Sequence, residues 1–294
     1  SISYLNNEGV IKKSGLERIS GNVSAYQYLG DNKAVKFDMG LFANIDKWHP
    51  IDYRIFERAY NLNPTIPVYD SNGNFSSVSG NIYENPVEIL TNRTVDNERH
   101  RLLGYFKTEV KFLRDFTASA NISLEHNAVK GGTYKPSYAV LEGRTEDGYA
   151  QKTYAEYTNA QGEIFVNYNK TLDKHTIGAL AGYSYFENIY EGFGAQRSGF
   201  VTDAFSFNNL GAGYNYRLGD VYSCKGKSNL VSFFARANYA YDGKYLLTAT
   251  VRRDGSSRFG DNNKWGTFPS ASAAWKISSE EFMDASKGWL DNLK

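Results

Sequence analysis

Asn229-Leu230-Val231-Ser232-Phe233-Phe234-Ala235-Arg236-Ala237-Asn238-Tyr239-Ala240-Tyr241, closed by the turn Tyr241-Asp242-Gly243-Lys244, leads into Tyr245-Leu246-Leu247-Thr248-Ala249-Thr250-Val251-Arg252-Arg253. With a period of two, the first arm sets Val231, Phe233, Ala235, Ala237, Tyr239 and Tyr241 on one face. Ser232, Arg236 and Asn238, with Phe234 among them, take the other. In the second arm Tyr245, Leu247, Ala249 and Val251 oppose Thr248, Thr250 and Arg252. Alternation at 180° per residue cannot make one helical stripe, so both arms are strands. They exceed the five or six residues usual in soluble proteins. Arms of about ten residues, apolar on one side and ending in aromatics, suit a tilted membrane-spanning strand.

The same alternation recurs outward from this hairpin. A strand is expected from about Glu17 to Tyr28, and another over Lys33–Asn44, joined by the turn Leu29-Gly30-Asp31-Asn32. Arg99–Leu113 and Phe116–Asn127 flank a turn at Arg114-Asp115, and Glu163–Lys170 and Thr176–Tyr190 flank Leu172-Asp173-Lys174. Short turns therefore alternate with long connections, expected over Ile45–Glu98, Ala128–Ala160 and Glu191–Ser228. The first of these holds a small hairpin turned on Asn72-Gly73. Membrane barrels have this asymmetry of short periplasmic turns and longer extracellular loops. Parity sends Phe37, Leu41, Phe106, Val110, Ile122, Phe233, Leu247 and Val251 to lipid. It sends Lys36, Asp38, Lys107, Glu109, Lys111, Arg236 and Thr250 to the lumen. The aromatics beside the short turns, Tyr26, Tyr28, Phe112, Phe116, Tyr168, Tyr239, Tyr241, Tyr245 and Trp275, are expected to form an interfacial girdle.

Composition agrees. The formal charge is +1 and the basic residues are scattered, which argues against a nucleic-acid groove. With 23 Tyr, 18 Phe and 27 Gly the chain favours strands and turns. The single cysteine, Cys224, placed in a loop, excludes a disulfide within the chain. No apolar run is long enough for a transmembrane helix. A mean hydropathy of −0.52 suits either a soluble protein or a barrel in which alternate residues face lipid. The abrupt start at Ser1-Ile2-Ser3-Tyr4-Leu5 and end at Asp291-Asn292-Leu293-Lys294 read as an internal piece of a longer protein.

The run Tyr245–Gly260, with Arg252-Arg253-Asp254-Gly255-Ser256-Ser257-Arg258-Phe259 at its centre, is followed by Trp265-Gly266, Phe268-Pro269-Ser270, Ala274-Trp275 and Glu280-Glu281-Phe282. Together these resemble SusC-like TonB-dependent outer-membrane transporters. Tyr4-Leu5-Asn6-Asn7-Glu8-Gly9, Asn63-Pro64-Thr65-Ile66-Pro67-Val68-Tyr69, Gly182-Tyr183 and Gly199-Phe200 extend the resemblance over essentially the whole chain. It implies an all-β antiparallel transmembrane β-barrel, roughly 22-stranded and plugged. Residues 1–294 would supply about ten of those strands, with the plug, the N-terminal domain and the other strands lying elsewhere. The implied function is TonB-dependent import of glycans or oligopeptides across the outer membrane of a Gram-negative bacterium. A SusD-like surface lipoprotein would cap the loops, and the TonB complex would act through the plug. Binding, gating and translocation are the work; no enzyme activity and no cofactor are expected. A siderophore or cobalamin receptor is the alternative within the class. A soluble β-rich adhesin or carbohydrate-binding module is the alternative outside it.

Candidate sites are few. His49, His100, His126 and His175 share no metal-ligand spacing, so no metal site is expected. Asp70-x-Asn72-x-Asn74 opens like a calcium loop but has Phe75 where glycine is needed and Asn81 where glutamate is needed. It reads better as a turn. Trp48, Tyr53, Phe56 and Tyr60 in the long connection are candidates for gripping a substrate or a partner, or for packing that connection on itself. The motif Arg252–Phe259 reads as structural, with Asp254-Gly255 as turn chemistry and the arginines paired to acids at the lumen or rim.

Overall fold

The computed structural model describes residues 1–30, 32–76, 85–139, 146–286, 288–290 and 292–294. Asp31 and Asn81, assigned above to a turn and a loop, lie outside the described residues, as do residues 140–145 of one expected connection. One antiparallel sheet holds β1 (Ile2–Glu8), β2 (Gly15–Leu29), β3 (Val35–His49), β4 (Thr94–Phe112), β5 (Phe116–Lys135), β6 (Tyr149–Leu172), β7 (His175–Phe200), β8 (Gly213–Asn215), β9 (Val221–Tyr241), β10 (Tyr245–Ser256) and β11 (Trp265–Trp275). Neighbours in sequence are neighbours in the sheet, except that the short β8 caps the end of β7 and lets β9 pair with it. The ten-strand path runs from β1 to β11 without closing on itself.

The short turns are set by local chemistry. Asp242 (φ 53°) and Gly243 (φ 64°) are both left-handed, as a two-residue hairpin turn demands. Lys244 N closes that turn on Tyr241 O at 2.9 Å. In-register pairing then aligns faces from strand to strand, because directly opposed residues point the same way. Phe37, Thr108, Ala120, Ile164, Tyr183, Phe233, Arg253 and Thr267 are successive partners along one such row. This row lies two residues past the start of β3 but eight past the start of β10. That climb is the stagger a sheet needs to tilt and curl into a wall.

All eight residues expected to face lipid fall on this face, and all seven expected in the lumen fall on the other. The girdle expectation holds less evenly. Phe112, Phe116 and Tyr168 stack in sequence at 5.5 and 4.8 Å between ring centroids, and Tyr241, Tyr245 and Trp275 follow at 6.3 Å each, all on the apolar face. Tyr26 and Tyr28 do not join them. They pair in register with Asp38 and Lys36 on the polar face, with Lys36 Nζ 5.8 and 5.9 Å from their ring centres. Strand parity, not nearness to a turn, decides which way a ring points.

The connections are shorter than expected because the strands run on. They cover residues 50–93, 136–148 and 201–220. β6 has 24 residues and β7 has 26, about twice what a bilayer crossing needs. Cys224 accordingly lies on β9, not in a loop. Among the described residues the buried apolar core is Ile55, Tyr134, Ala150 and Phe200. Tyr134, Ala150 and Phe200 pack with Phe207 and Leu210 where the β7–β9 connection folds over the far ends of β5 and β6. Phe207 lies so close to Gly132 that a Cβ there would meet its ring at 2.6 Å. Asp203 fixes this fold-back, accepting from Tyr134 Oη at 2.5 Å, Ser137 N at 2.8 Å and Ser137 Oγ at 2.9 Å. Burial disfavours the Asp203 anion, but those three donors outweigh it and hold its carboxyl below the usual range.

Candidate functional site

The polar face carries hydrogen-bonded clusters that tie neighbouring strands together. Arg18, Asp46 and Arg99 are register partners on β2, β3 and β4. Asp46 is fully buried and accepts from Arg18 Nε at 2.7 Å, Asn44 Nδ2 at 2.7 Å and Arg99 Nε at 2.8 Å. A carboxylate so shielded from water must be compensated by donors, and here two guanidinium groups and an amide supply them. One step on, Glu125 of β5 accepts from Arg101 (2.6 Å), Asn127 (3.1 Å) and Asn159 (3.1 Å), and Asn188 of β7 donates to Asn159 at 2.7 Å. The network thus crosses four strands. At the other end Arg252 Nε bonds both oxygens of Asp254 (2.8 and 3.0 Å), and Arg252 Nη2 donates to Ser232 Oγ at 2.9 Å.

The opposite face has a different character. Ile19, Val23, Met39, Leu41, Leu102, Ile122, Leu124, Ile164, Leu247 and Val251 are all exposed on it. A monomer in water rarely leaves so large an apolar surface uncovered. Among the described residues no helix is long and apolar enough to cross a membrane.

The connection from β3 to β4 is ordered by its own contacts. It carries α1 (Arg54–Asn61) and α2 (Pro86–Asn92). Asp52 accepts from Arg54 Nη2 at 2.7 Å and from Arg93. Burial opposes ionisation of Asp52, but hydrogen bonds from Arg54 and the charges of Arg93 and Arg54 prevail and hold its pKa at about 2. The hairpin on Asn72-Gly73 forms: Tyr69 bridges to Phe75, and Asp70 Oδ1 accepts from the amides of Asn72 (2.8 Å) and Asn74 (2.9 Å). Asp70 thus spends its oxygen on the turn, as the turn reading requires. Asn85 caps α2 through Val87 N and donates its amide to Val68 O at 2.9 Å, tying hairpin to helix.

The four aromatic candidates are not brought together. Tyr53, Phe56 and Tyr60 stand at helical spacing on one side of α1, exposed by 82%, 55% and 89%. Ile55 is buried beneath that helix. Trp48 sits apart on the polar face of β3, in register with Leu16 and Asn97 and 5.9 Å from the Arg99 guanidinium. The motif residues are used within the fold. Ser256 Oγ accepts from Arg258 N, Ser257 Oγ from Asn229 N, and Arg258 Nη2 donates to Ser228 Oγ. Gly255 leaves room for Trp265, whose ring would meet a Cβ at 2.9 Å. Sequence reasoning missed the Asp46 and Glu125 networks, although the charged residues of β3–β6 at the polar parity were a usable signal. The histidines bond separately, His49 to Asp96, His126 to Thr158 and His175 to Tyr239. Among the described residues no three metal-type ligands gather.

Residues 16–285 match the family of TonB dependent receptor-like β-barrels, and the chain belongs to it. TonB-dependent receptor P3 of Formosa agariphila is 30% identical over 96% of this chain and 29% of its own length. TonB-dependent receptor SusC of Bacteroides thetaiotaomicron is 26% identical over 96% of this chain and 30% of its own. The chain therefore spans less than a third of these relatives. Among solved structures, the RagAB peptide transporter superposes with a TM-score of 0.78 at 20% identity, over 96% of this chain and 32% of that one. The fold is thus the antiparallel wall of a TonB-dependent barrel, and its relatives are receptors and transporters rather than enzymes.

Proposed function

We propose that residues 1–294 form part of the barrel domain of a SusC-like importer in the outer membrane of a Gram-negative bacterium, the remaining strands and the plug lying elsewhere in the complete protein. The observation that carries this reading is the contrast between faces: polar groups bonded across four strands on one side, bare apolar side chains on the other. A soluble adhesin or carbohydrate-binding module would have to cover that apolar face.

The polar wall then meets the plug and the passing substrate, and the long connections lie outside the cell. The cargo is a glycan or an oligopeptide, by likeness to SusC and to the RagAB peptide transporter. The TonB complex supplies energy through the plug, and a SusD-like lipoprotein covers the loops. Its contacts would include the exposed stripe Tyr53, Phe56 and Tyr60, since exposed aromatics anchor interfaces well. Trp48, on the wall itself, is placed to meet substrate rather than lipoprotein.

Growth separates the readings. Deleting the complete gene should abolish growth on the oligosaccharide or oligopeptide while sparing growth on its monomers, and loss of TonB should reproduce the defect. Normal growth on every oligomer with impaired uptake of ferric siderophore or cobalamin would refute the proposal in favour of the alternative receptor class.

A further inference from the structure

The adjacent motif arginines point in opposite directions. Arg252 lies on the polar face, bonded to both oxygens of Asp254. Arg253 lies on the apolar face, in register with Phe233 and Thr267. It is exposed, its guanidinium stands 5.5 Å from the centre of the Trp265 ring, and among the described residues no carboxylate pairs with it. Two outward-facing cations further along β9 are satisfied: Lys227 by Glu187 at 2.9 Å and Lys225 by Glu191 at 2.8 Å.

The position of Arg253 gives this contrast a meaning. It lies eight residues beyond Tyr245 in the lower aromatic row. At about 3.3 Å per residue and a tilt near 40°, that is about 20 Å along the membrane normal. The apolar band of such a barrel is about 25 Å tall, so a long side chain rooted there reaches the headgroup level. Phe233 stacks on Trp265 at 6.2 Å and meets Tyr183 at 5.3 Å, forming an aromatic rim around the guanidinium. Below the rim two apolar hollows of about 690 and 540 Å³ share Ala237 and Ala249 and are edged by Leu247 and Val251.

We propose that Arg253 and its aromatic rim bind a phosphate-bearing glycolipid of the outer leaflet, the phosphate on the guanidinium and an acyl chain in the hollow beneath. The charge is complementary, the planar fork suits phosphate oxygens, and the rings suit a sugar face. Free inorganic phosphate has the same headgroup chemistry but no chain for the hollow, so the lipid is the occupant. This inference rests on the reading that the apolar face meets lipid.

The test uses the complete transporter in phosphatidylcholine nanodiscs doped with diphosphoryl lipid A, with bound lipid counted by native mass spectrometry. Wild type should retain lipid A about tenfold more strongly than Arg253→Gln, with Arg253→Lys intermediate and inorganic phosphate unable to displace the lipid. Fully dephosphorylated lipid A should bind wild type and Arg253→Gln alike. Equal retention of diphosphoryl lipid A by wild type and Arg253→Gln would overturn the proposal, as would its displacement by inorganic phosphate. A spin label at Leu247 shielded from a lipid-soluble quencher would instead overturn the underlying reading of the face. Heat-modifiable migration of each variant on a denaturing gel confirms that the barrel has assembled.

Discussion

Placing a guanidinium on the apolar face should cost free energy according to depth, and the structure supplies the depths. Ile122 lies six residues along β5 from Phe116, whose ring belongs to the lower aromatic row. Six residues at about 3.3 Å, tilted near 40°, amount to about 15 Å along the normal, close to the centre of a band about 25 Å tall. Val110 lies only two residues along β4 from Phe112 in the same row, about 5 Å above it. Ile122→Arg should therefore cost about 2–4 kcal/mol and Val110→Arg about 0–1 kcal/mol more than their alanine counterparts. The shallow site is cheap because arginine can bend its stem toward headgroups and water. Asn121→Arg is the control. It projects from the polar face, where Asn121 bonds to Glu163 at 3.4 Å, so a cation there finds an acid and costs little. The assay is reversible urea unfolding of the complete transporter in bilayers, read by tryptophan fluorescence and gel mobility. If Ile122→Arg and Asn121→Arg cost the same, the faces are not lipid and lumen. If Val110→Arg costs as much as Ile122→Arg, the band is not where the aromatic row puts it.

Four further outcomes follow from the same structure. Asp52 has a depressed pKa of about 2, so its contribution is full above the ordinary carboxyl value near 4 and is lost as pH falls toward about 2. Proteolysis of the β3–β4 connection should rise over that window, and Asp52→Asn should make it susceptible already at pH 7. Replacing Asp203 by Ala leaves the Tyr134 hydroxyl and Ser137 amide without their acceptor and should cost about 1–3 kcal/mol locally, seen as faster amide exchange in residues 200–212. Gly255→Val should displace Trp265 and shift its fluorescence while leaving the lower aromatic row intact. Deleting residues 66–76 should spare barrel assembly and weaken uptake or lipoprotein association. A tag inserted at Gly73 that stayed unreachable on intact cells, even without the lipoprotein, would reverse the orientation of the sheet.

Within the membrane band the fold was legible because the bilayer imposes alternation: each residue must suit either lipid or a polar interior. Above the band that constraint lapses. Lys152, Glu156, Glu191 and Lys225 lie on the outward side of β6, β7 and β9, yet read like loop residues. Outward positions there carry charged side chains such as Lys152 and Glu191, so backbone pairing continues without an alternating apolar cue in the sequence. This is why the expected connections at residues 128–160 and 191–228 gave way to strands reaching Lys135, Tyr149, Phe200 and Val221. The grouping of Tyr53, Phe56 and Tyr60 follows from helical spacing, while the separate place of Trp48 follows only once β3 is known to reach His49.

The two faces also explain why one sheet can be rigid toward its interior and indifferent toward its exterior. On the polar face Asp46 and Glu125 each hold donors from two neighbouring strands, and Asp254 holds the guanidinium of Arg252. A half-satisfied network of this kind would be worse than none, since each orphaned group keeps its desolvation cost. Removing one member, as in Asp46→Asn, should therefore loosen β2, β3 and β4 together: two guanidinium groups lose their shared anion at once. On the apolar face a substitution at Leu41 or Ile122 breaks no such network, because these side chains stand exposed.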